Sequence, residues 1–242
     1  MEENEIMIPE KKELETEAPL LEDSYDRCYI IRRSKLAPVI RTVPMGALNT
    51  NCYIIYRPGK KGAVVIDPGD DVPKLIKELN RLNLIPEYVL LTHGHYDHIL
   101  GAAHLEKKYC ARVRISLVDS PCLHNTVKNL KPSITKCPFI PTVASGYLEA
   151  GSVCAGSFTF TLLPTPGHTA GSVSLILKGA NALFTGDTLF AHGYGRTDLP
   201  TGNINALVSS LRLLLRQDEN LYVYPGHGEG CTLKSIKRGY LI

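Results

Sequence analysis

The chain has 242 residues, 44% of them hydrophobic and 21% charged, the balance of a globular protein with a sizeable core. No apolar run approaches the roughly 18–20 residues that span a bilayer. The acidic start also lacks the basic-then-apolar order of a secretory signal, so a cytoplasmic protein without a membrane partner is expected. The net charge of +3 divides unevenly, with residues 1–26 at −8 and the remainder at +11, and no basic run is interleaved with aromatics as nucleic-acid binding would ask. Such a basic body either draws in anionic small molecules at long range or is simply a solvated surface.

Residues 1–36 are acidic, poor in aromatics and without clear periodicity, so they read as a mobile arm, with docking on the basic body or at an oligomer interface as the alternative. From residue 37 the pattern changes. "PVIRTVP", "TNCYIIYR" and "GAVVIDPG" are short β-rich runs broken by Gly, Pro and Asn. "DVPKLIKELNRLNL" places Val72, Leu75, Ile76, Leu79 and Leu82 at helical spacing. "EYVLLTH" then predicts a buried strand, and "DHILGAAHLEKKY" a helix with Asp97 as a candidate N-cap. Residues 119–150, with Pro121, Pro132, Pro138 and Pro141, predict a short helix and loops.

The second half follows the same logic. "FTFTLLPTPGH", "SVSLILKG" and "NALFTGD" predict strands, "NINALVSSLRLLLRQ" an amphipathic helix, and "NLYVYPGH" a last strand. Strand blocks with intervening helices imply two packed sheets with helices outside, an α/β layered domain over residues 37–242. The seven cysteines are odd in number and scattered without CxxC spacing, against both a disulfide framework and a thiolate zinc cluster.

The chemistry concentrates at strand ends. "HGHYDH" (93–98) packs His93, His95, Asp97 and His98 into one strand-to-helix turn, where packing gives no reason for them. His168 follows "LLPTPG", Asp187 follows "ALFTG" and His227 follows "LYVYPG", each just past an apolar strand and directly after a glycine. Neighbouring strand ends converge, so these seven residues are candidate ligands. Imidazole nitrogen and carboxylate oxygen suit zinc, iron or manganese, and seven ligands fit two metals better than one tetrahedral site. Asp187, the one carboxylate outside the cluster, is the natural bridge between them. His104, His124 and His192 lack such a setting and read as ordinary packing or surface residues.

Together "HGHYDH", "TPGHT" (165–169), "FTGDTLF" (184–190) and "YPGHG" (224–228) resemble the metallo-β-lactamase superfamily, over roughly residues 38–230. The resemblance implies an αββα sandwich with the metals at one edge. It implies one divalent ion, zinc by default, on His93, His95 and His168, a second on Asp97, His98 and His227, and Asp187 between them. It also gives Asp67 of "VVIDPG" a supporting role without metal ligation. Asp187 stands where zinc β-lactamases of the cysteine-ligand type have cysteine. The 58 residues between His168 and His227 leave no room for the inserted domain of RNA-processing relatives.

"GDTLFAHGYGRTDLPTG" resembles the short, prokaryotic-type glyoxalase II group. That implies hydrolysis of a glutathione-derived thioester of the S-lactoylglutathione type by a metal-bound hydroxide, with Asp97 and Asp187 as the catalytic carboxylates. Arg196 lies where those enzymes place a lysine that contacts the glutathione backbone, which makes Arg196 and, with less support, Tyr194 the expected substrate-binding residues. Longer members add a C-terminal helical domain and a tyrosine after the last histidine, whereas here "HGEGC" follows and the sequence stops 15 residues beyond His227. Persulfide dioxygenases, with a single iron on His93, His168 and Asp187, share the fold and a similar "GRTD" loop and form the alternative. Lactone hydrolysis is a third possibility on the same two-metal logic. Oligomeric state is not set by the sequence.

Overall fold

The computed structural model describes residues 36–132 and 135–240. All but the last residue of the expected acidic arm, 1–36, lies outside them. The first half builds β1 (Val39–Met45), β2 (Thr50–Tyr56), β3 (Gly62–Ile66), α1 (Val72–Arg81), β4 (Ile85–Leu90), α2 (Tyr96–Ile99), α3 (Ala102–Tyr109), β5 (Arg112–Ile115) and β6 (Gly146–Tyr147). Its strands form a six-stranded sheet in chain order, antiparallel across β1–β2–β3 and parallel from β3 to β6. The second half builds β7 (Gly151–Ala155), β8 (Phe158–Pro164), β9 (Val173–Leu177), β10 (Ala182–Gly186), α4 (Ile204–Leu215), β11 (Tyr222–Pro225), β12 (Cys231–Thr232) and α5 (Leu233–Tyr240). The second sheet is also six-stranded, antiparallel except for the parallel pair β10–β11.

Alternation along the strands sorts the core into three layers. In β2, Tyr53 and Ile55 face the other sheet, whereas Cys52 and Ile54 face the helices. In β3, Val64 and Ile66 face inward and Ala63 and Val65 outward. Residues buried on both faces read as continuous apolar runs, which is why these strands are legible without a polar alternate position. Leu75 and Leu79 of α1 and Leu105 of α3 complete the outer layer of the first sheet. Leu207, Leu211 and Leu214 of α4 and Ile236 of α5 cover Leu183 and Val223 of the second. The order is therefore helices, sheet, sheet, helices, the αββα sandwich expected. Among the described residues no helix is long and apolar enough to cross a membrane.

Several local expectations change. The helix read over 97–109 is two: α2 ends at Ile99 and α3 begins at Ala102, because the Gly101 N–H donates to Pro68 O at 2.7 Å instead of continuing the helical ladder. Asp97 is not an N-cap; His95 occupies that position and the Asp97 side chain turns toward the histidines. "NLYVYPGH" is not the last strand, since β12 and α5 follow. β7, built from Gly, Ser, Val, Cys and Ala, carries too few strand-forming residues to stand out. Cys52, Cys110, Cys122, Cys137 and Cys231 are free thiols.

Phe160 is fully buried between the sheets. Phe160→Ala is expected to cost about 3–5 kcal/mol of stability through lost burial and the cavity left behind. Urea unfolding followed by circular dichroism would check this as a lower midpoint.

Candidate metal centre

The parallel strands point their C-terminal ends to one edge of the sandwich, and the loops leaving them carry the site. β4 ends at Leu90 and its continuation delivers His93 and His95, while α2 presents Asp97 and His98 one turn later. The turn after β8 presents His168, that after β10 Asp187, and that after β11 His227. Two backbone hydrogen bonds join the sheets here: Asn51 N–H donates to Gly226 O at 2.7 Å, and Val173 N–H to Thr92 O at 2.9 Å. Thr50 and His227 also form an antiparallel bridge. A Cβ at residue 226 would collide with the Asp187 carboxylate and the His98 ring, so only glycine lets β11 pass this close.

All seven predicted residues come together. Ligand atoms of His93, His95 and His168 lie within 4.8 Å of one another, as do those of Asp97, His98 and His227. His95 Nδ1 is 2.8 Å from His168 Nε2. His98 Nε2 and His227 Nε2 are 3.4 Å apart, and Asp97 Oδ2 lies 3.4 and 3.3 Å from them respectively. Asp187 spans the two groups: Oδ2 is 3.5 Å from both His168 Nε2 and His227 Nε2, and Oδ1 is 3.5 Å from His98 Nε2.

The opposite nitrogen of four rings is anchored. His98 Nδ1–H donates to Asp67 Oδ2 at 2.9 Å, His168 Nδ1–H to Arg196 O at 2.8 Å, and His227 Nδ1–H to Leu48 O at 3.1 Å. His93 Nδ1 is 3.1 Å from Thr92 Oγ1. Each bond leaves Nε2 turned inward, the outer arrangement that orients histidine ligands in metal proteins. Asp67 holds a left-handed φ of +50° and also accepts from the Thr92 N–H and hydroxyl at 2.8 and 2.6 Å. With both oxygens so engaged, Asp67 supports His98 and is not itself a free donor to a cation, although it lies within reach of His93 and His98.

Burial without a partner tests whether a cation fits. His93 Nε2 and Asp187 Oδ1 are buried with no hydrogen bond, a costly state for polar atoms that a divalent cation would relieve. The donor set of imidazole nitrogen and carboxylate oxygen suits zinc, iron or manganese.

The two groups differ in charge. Burial and neighbouring imidazoles push His93 well below the usual range and His95 down to about 4, so these two rings are neutral. Around His98 burial acts downward, yet Asp97, Asp187 and Asp67 raise it to about 9. His227 rises to about 10 against its own burial, through hydrogen bonds to Asp187 and Asp97. Burial opposes ionisation of Asp97 and Asp187, but His98 and His227 outweigh it and lower both carboxyls.

Arg196 and Tyr194 are not drawn in. The Arg196 guanidinium makes two bonds, 2.7 and 2.6 Å, to the exposed carboxylate of Asp198, while its carbonyl holds His168. Tyr194 is 49% exposed and pairs through its backbone with Leu189. Three contributors were not legible. Thr92 and Thr50, which donates to Asp97 Oδ2 at 2.8 Å, are isolated hydroxyls in strand ends. Asp119, beneath the loops of His95 and His168, opens the segment expected to hold a short helix and loops, where no motif marks it.

A profile of the metallo-β-lactamase superfamily matches residues 45–227, and this chain belongs to that superfamily. It is 32% identical over 206 residues to hydroxyacylglutathione hydrolase GloC of Haemophilus influenzae, covering 82% of this chain and 95% of that one. Among solved structures, BLEG-1 B3 metallo-β-lactamase superposes with a TM-score of 0.78 at 33% identity, covering 83% and 97% of the two chains. TTHA1623 in a di-iron-bound form gives 0.73 at 33%, covering 82% and 96%.

Coordination needs neutral imidazoles, whereas His98 and His227 hold protons at neutral pH in the metal-free protein. Zinc loading at pH 7 is therefore expected to expel about two protons, and fewer above pH 10. Calorimetric titration in two buffers of unlike ionisation enthalpy checks this; equal heats would contradict it.

Proposed function

We propose that the chain is a two-metal hydrolase acting on a thioester of the S-lactoylglutathione type. His93, His95 and His168 would hold one divalent ion and Asp97, His98 and His227 a second, with Asp187 in reach of both groups. The observation that carries this reading is the pair of buried atoms without a hydrogen bond, His93 Nε2 and Asp187 Oδ1, among the rings of His98, His168 and His227 that are already anchored from behind. The GloC likeness over nearly the whole described chain supports the substrate class. The di-iron form of TTHA1623 supports two metals while leaving iron beside zinc as the cofactor.

When bound, divalent ions at such a centre lower the pKa of water and polarise the carbonyl under attack. The protein's own groups do the rest. Asp97 and Asp187, whose carboxyls already sit below their usual range before any ion binds, would accept hydrogen bonds from the attacking water and fix its approach. Thr50 holds Asp97 Oδ2 in place. A thiol with a pKa around 8.5 departs as thiolate with little help, so no separate proton donor is required. The Arg196–Asp198 pair is solvent-exposed and so weakly held, which lets a substrate carboxylate take over the guanidinium.

Asp187→Ala is expected to lower kcat/KM for S-lactoylglutathione by at least about 100-fold, the upper range for loss of an outer partner alone, together with metal retention. Full activity in that variant would overturn the proposal. So would a wild-type panel showing oxygen uptake with a glutathione persulfide, or turnover of lactones or β-lactams, and none with thioesters. Arg196→Ala is expected to raise KM several-fold with kcat nearly kept, the mark of lost uniform binding. An unchanged KM in steady-state assays would return Arg196 to a loop ion pair.

A further inference from the structure

We propose that Asp119 is a positioning residue for the three-histidine group, tying the turn of His93 and His95 to the loop of His168. The inference rests on the reading of that group as a metal site. Asp119 follows β5 and is 4% exposed. Its Oδ2 accepts from the N–H of Gly94, the residue between the two histidines, at 2.9 Å. The same oxygen accepts from the hydroxyl of Thr169, directly after His168, at 2.7 Å. Its Oδ1 accepts from the Gly171 N–H at 3.0 Å. One carboxylate therefore gathers three donors from two ligand-bearing segments.

Asp119 is itself fixed. Its N–H donates to Ser116 Oγ at 3.2 Å and its carbonyl accepts from Cys122 N–H at 2.9 Å, which anchors it to the end of β5. A Cβ at Gly171 would collide with this carboxylate, so the loop is shaped around it. The contact between the rings does not set their spacing. His95 Nδ1 and His168 Nε2 are the facing donor atoms, and both must turn to a cation when one is shared. The separation must then be held from outside: the Val173–Thr92 backbone bond fixes the strand ends, and the Asp119 side chain ties the two loops beyond them.

An amide cannot replace the carboxylate. The substitution Asp119→Asn would keep the shape but offer one acceptor oxygen, setting the amide NH2 against an N–H donor. Equilibrium dialysis against zinc, read as affinity and moles bound, tests the proposal in single and paired variants of the full chain. In a His98→Ala background, which leaves the three-histidine group, Asp119→Asn is expected to weaken zinc binding about 10–100-fold. In a His95→Ala background, which disables that group, the same substitution should leave zinc affinity unchanged.

Thermal unfolding of the metal-free proteins separates positioning from general loosening, since Asp119→Asn should reduce affinity far more than it shifts the metal-free Tm. Should Asp119→Asn fail to fold, Thr169→Val removes a single donor and is expected to weaken the same group several-fold. Equal affinities with and without the Asp119 or Thr169 change in the His98→Ala background would overturn the inference alone. Wild-type protein that binds no zinc or iron would overturn it together with the two-metal reading.

Discussion

Two sheets packed through apolar side chains are held by a force without direction, and such a force does not fix an ångström-scale register between them. That register comes from the seam at the open edge, where Asn51 bonds to Gly226 and Val173 to Thr92. Every ligand group lies close to it. Thr50 and His227 bridge at one end of the seam, and His93 follows Thr92 at the other. Asp187 reaches both groups because Gly226 N–H also bonds to Gly186 O at 2.8 Å. Seven side chains from separate segments converge because the backbone, rather than the core, sets where the strands stop.

Within this frame the centre is electrostatically divided. One group holds His93 and His95, whose protons are disfavoured first by burial and then by the neighbouring rings. The other pairs imidazoles with carboxylates, so that the charges offset one another in a buried place where isolated charges would be costly. Asp187 belongs to both descriptions, since its oxygens face His98 on one side and His168 on the other. The split follows from chain geometry. His93 and His95 leave an extended segment after β4, whereas Asp97 and His98 sit in the following helical turn and meet His227 across the seam.

Much of this was legible in the sequence, for definable reasons. The doubly buried strands β2 and β3 announce themselves as apolar runs, and a ligand placed directly after a strand and a glycine has few other uses. The spacing of α1 was readable because Val72, Leu75 and Leu79 face one layer. Contacts that depend on tertiary approach were not. The break between α2 and α3 needs Pro68 O, which no local pattern reveals. Asp119 was hidden because its partners lie 25 and 50 or more positions away and its neighbours carry no periodicity. Arg196 illustrates the converse: its motif was visible, but only the structure shows its side chain bound to Asp198 and its carbonyl to His168.

That last division of labour has a consequence for how such a centre diversifies. His168 and His227 are oriented by the main-chain oxygens of Arg196 and Leu48, residues whose own side chains face outward. A carbonyl is supplied by any amino acid, so the side chains at positions 196 and 48 are free to drift without slackening the imidazoles behind them. Recognition at the mouth and order at the centre are thus inherited separately, one through side chains and the other through the path of the chain. A lineage on this scaffold can trade one ligand for another by point changes in two loops while the inner shell stays intact.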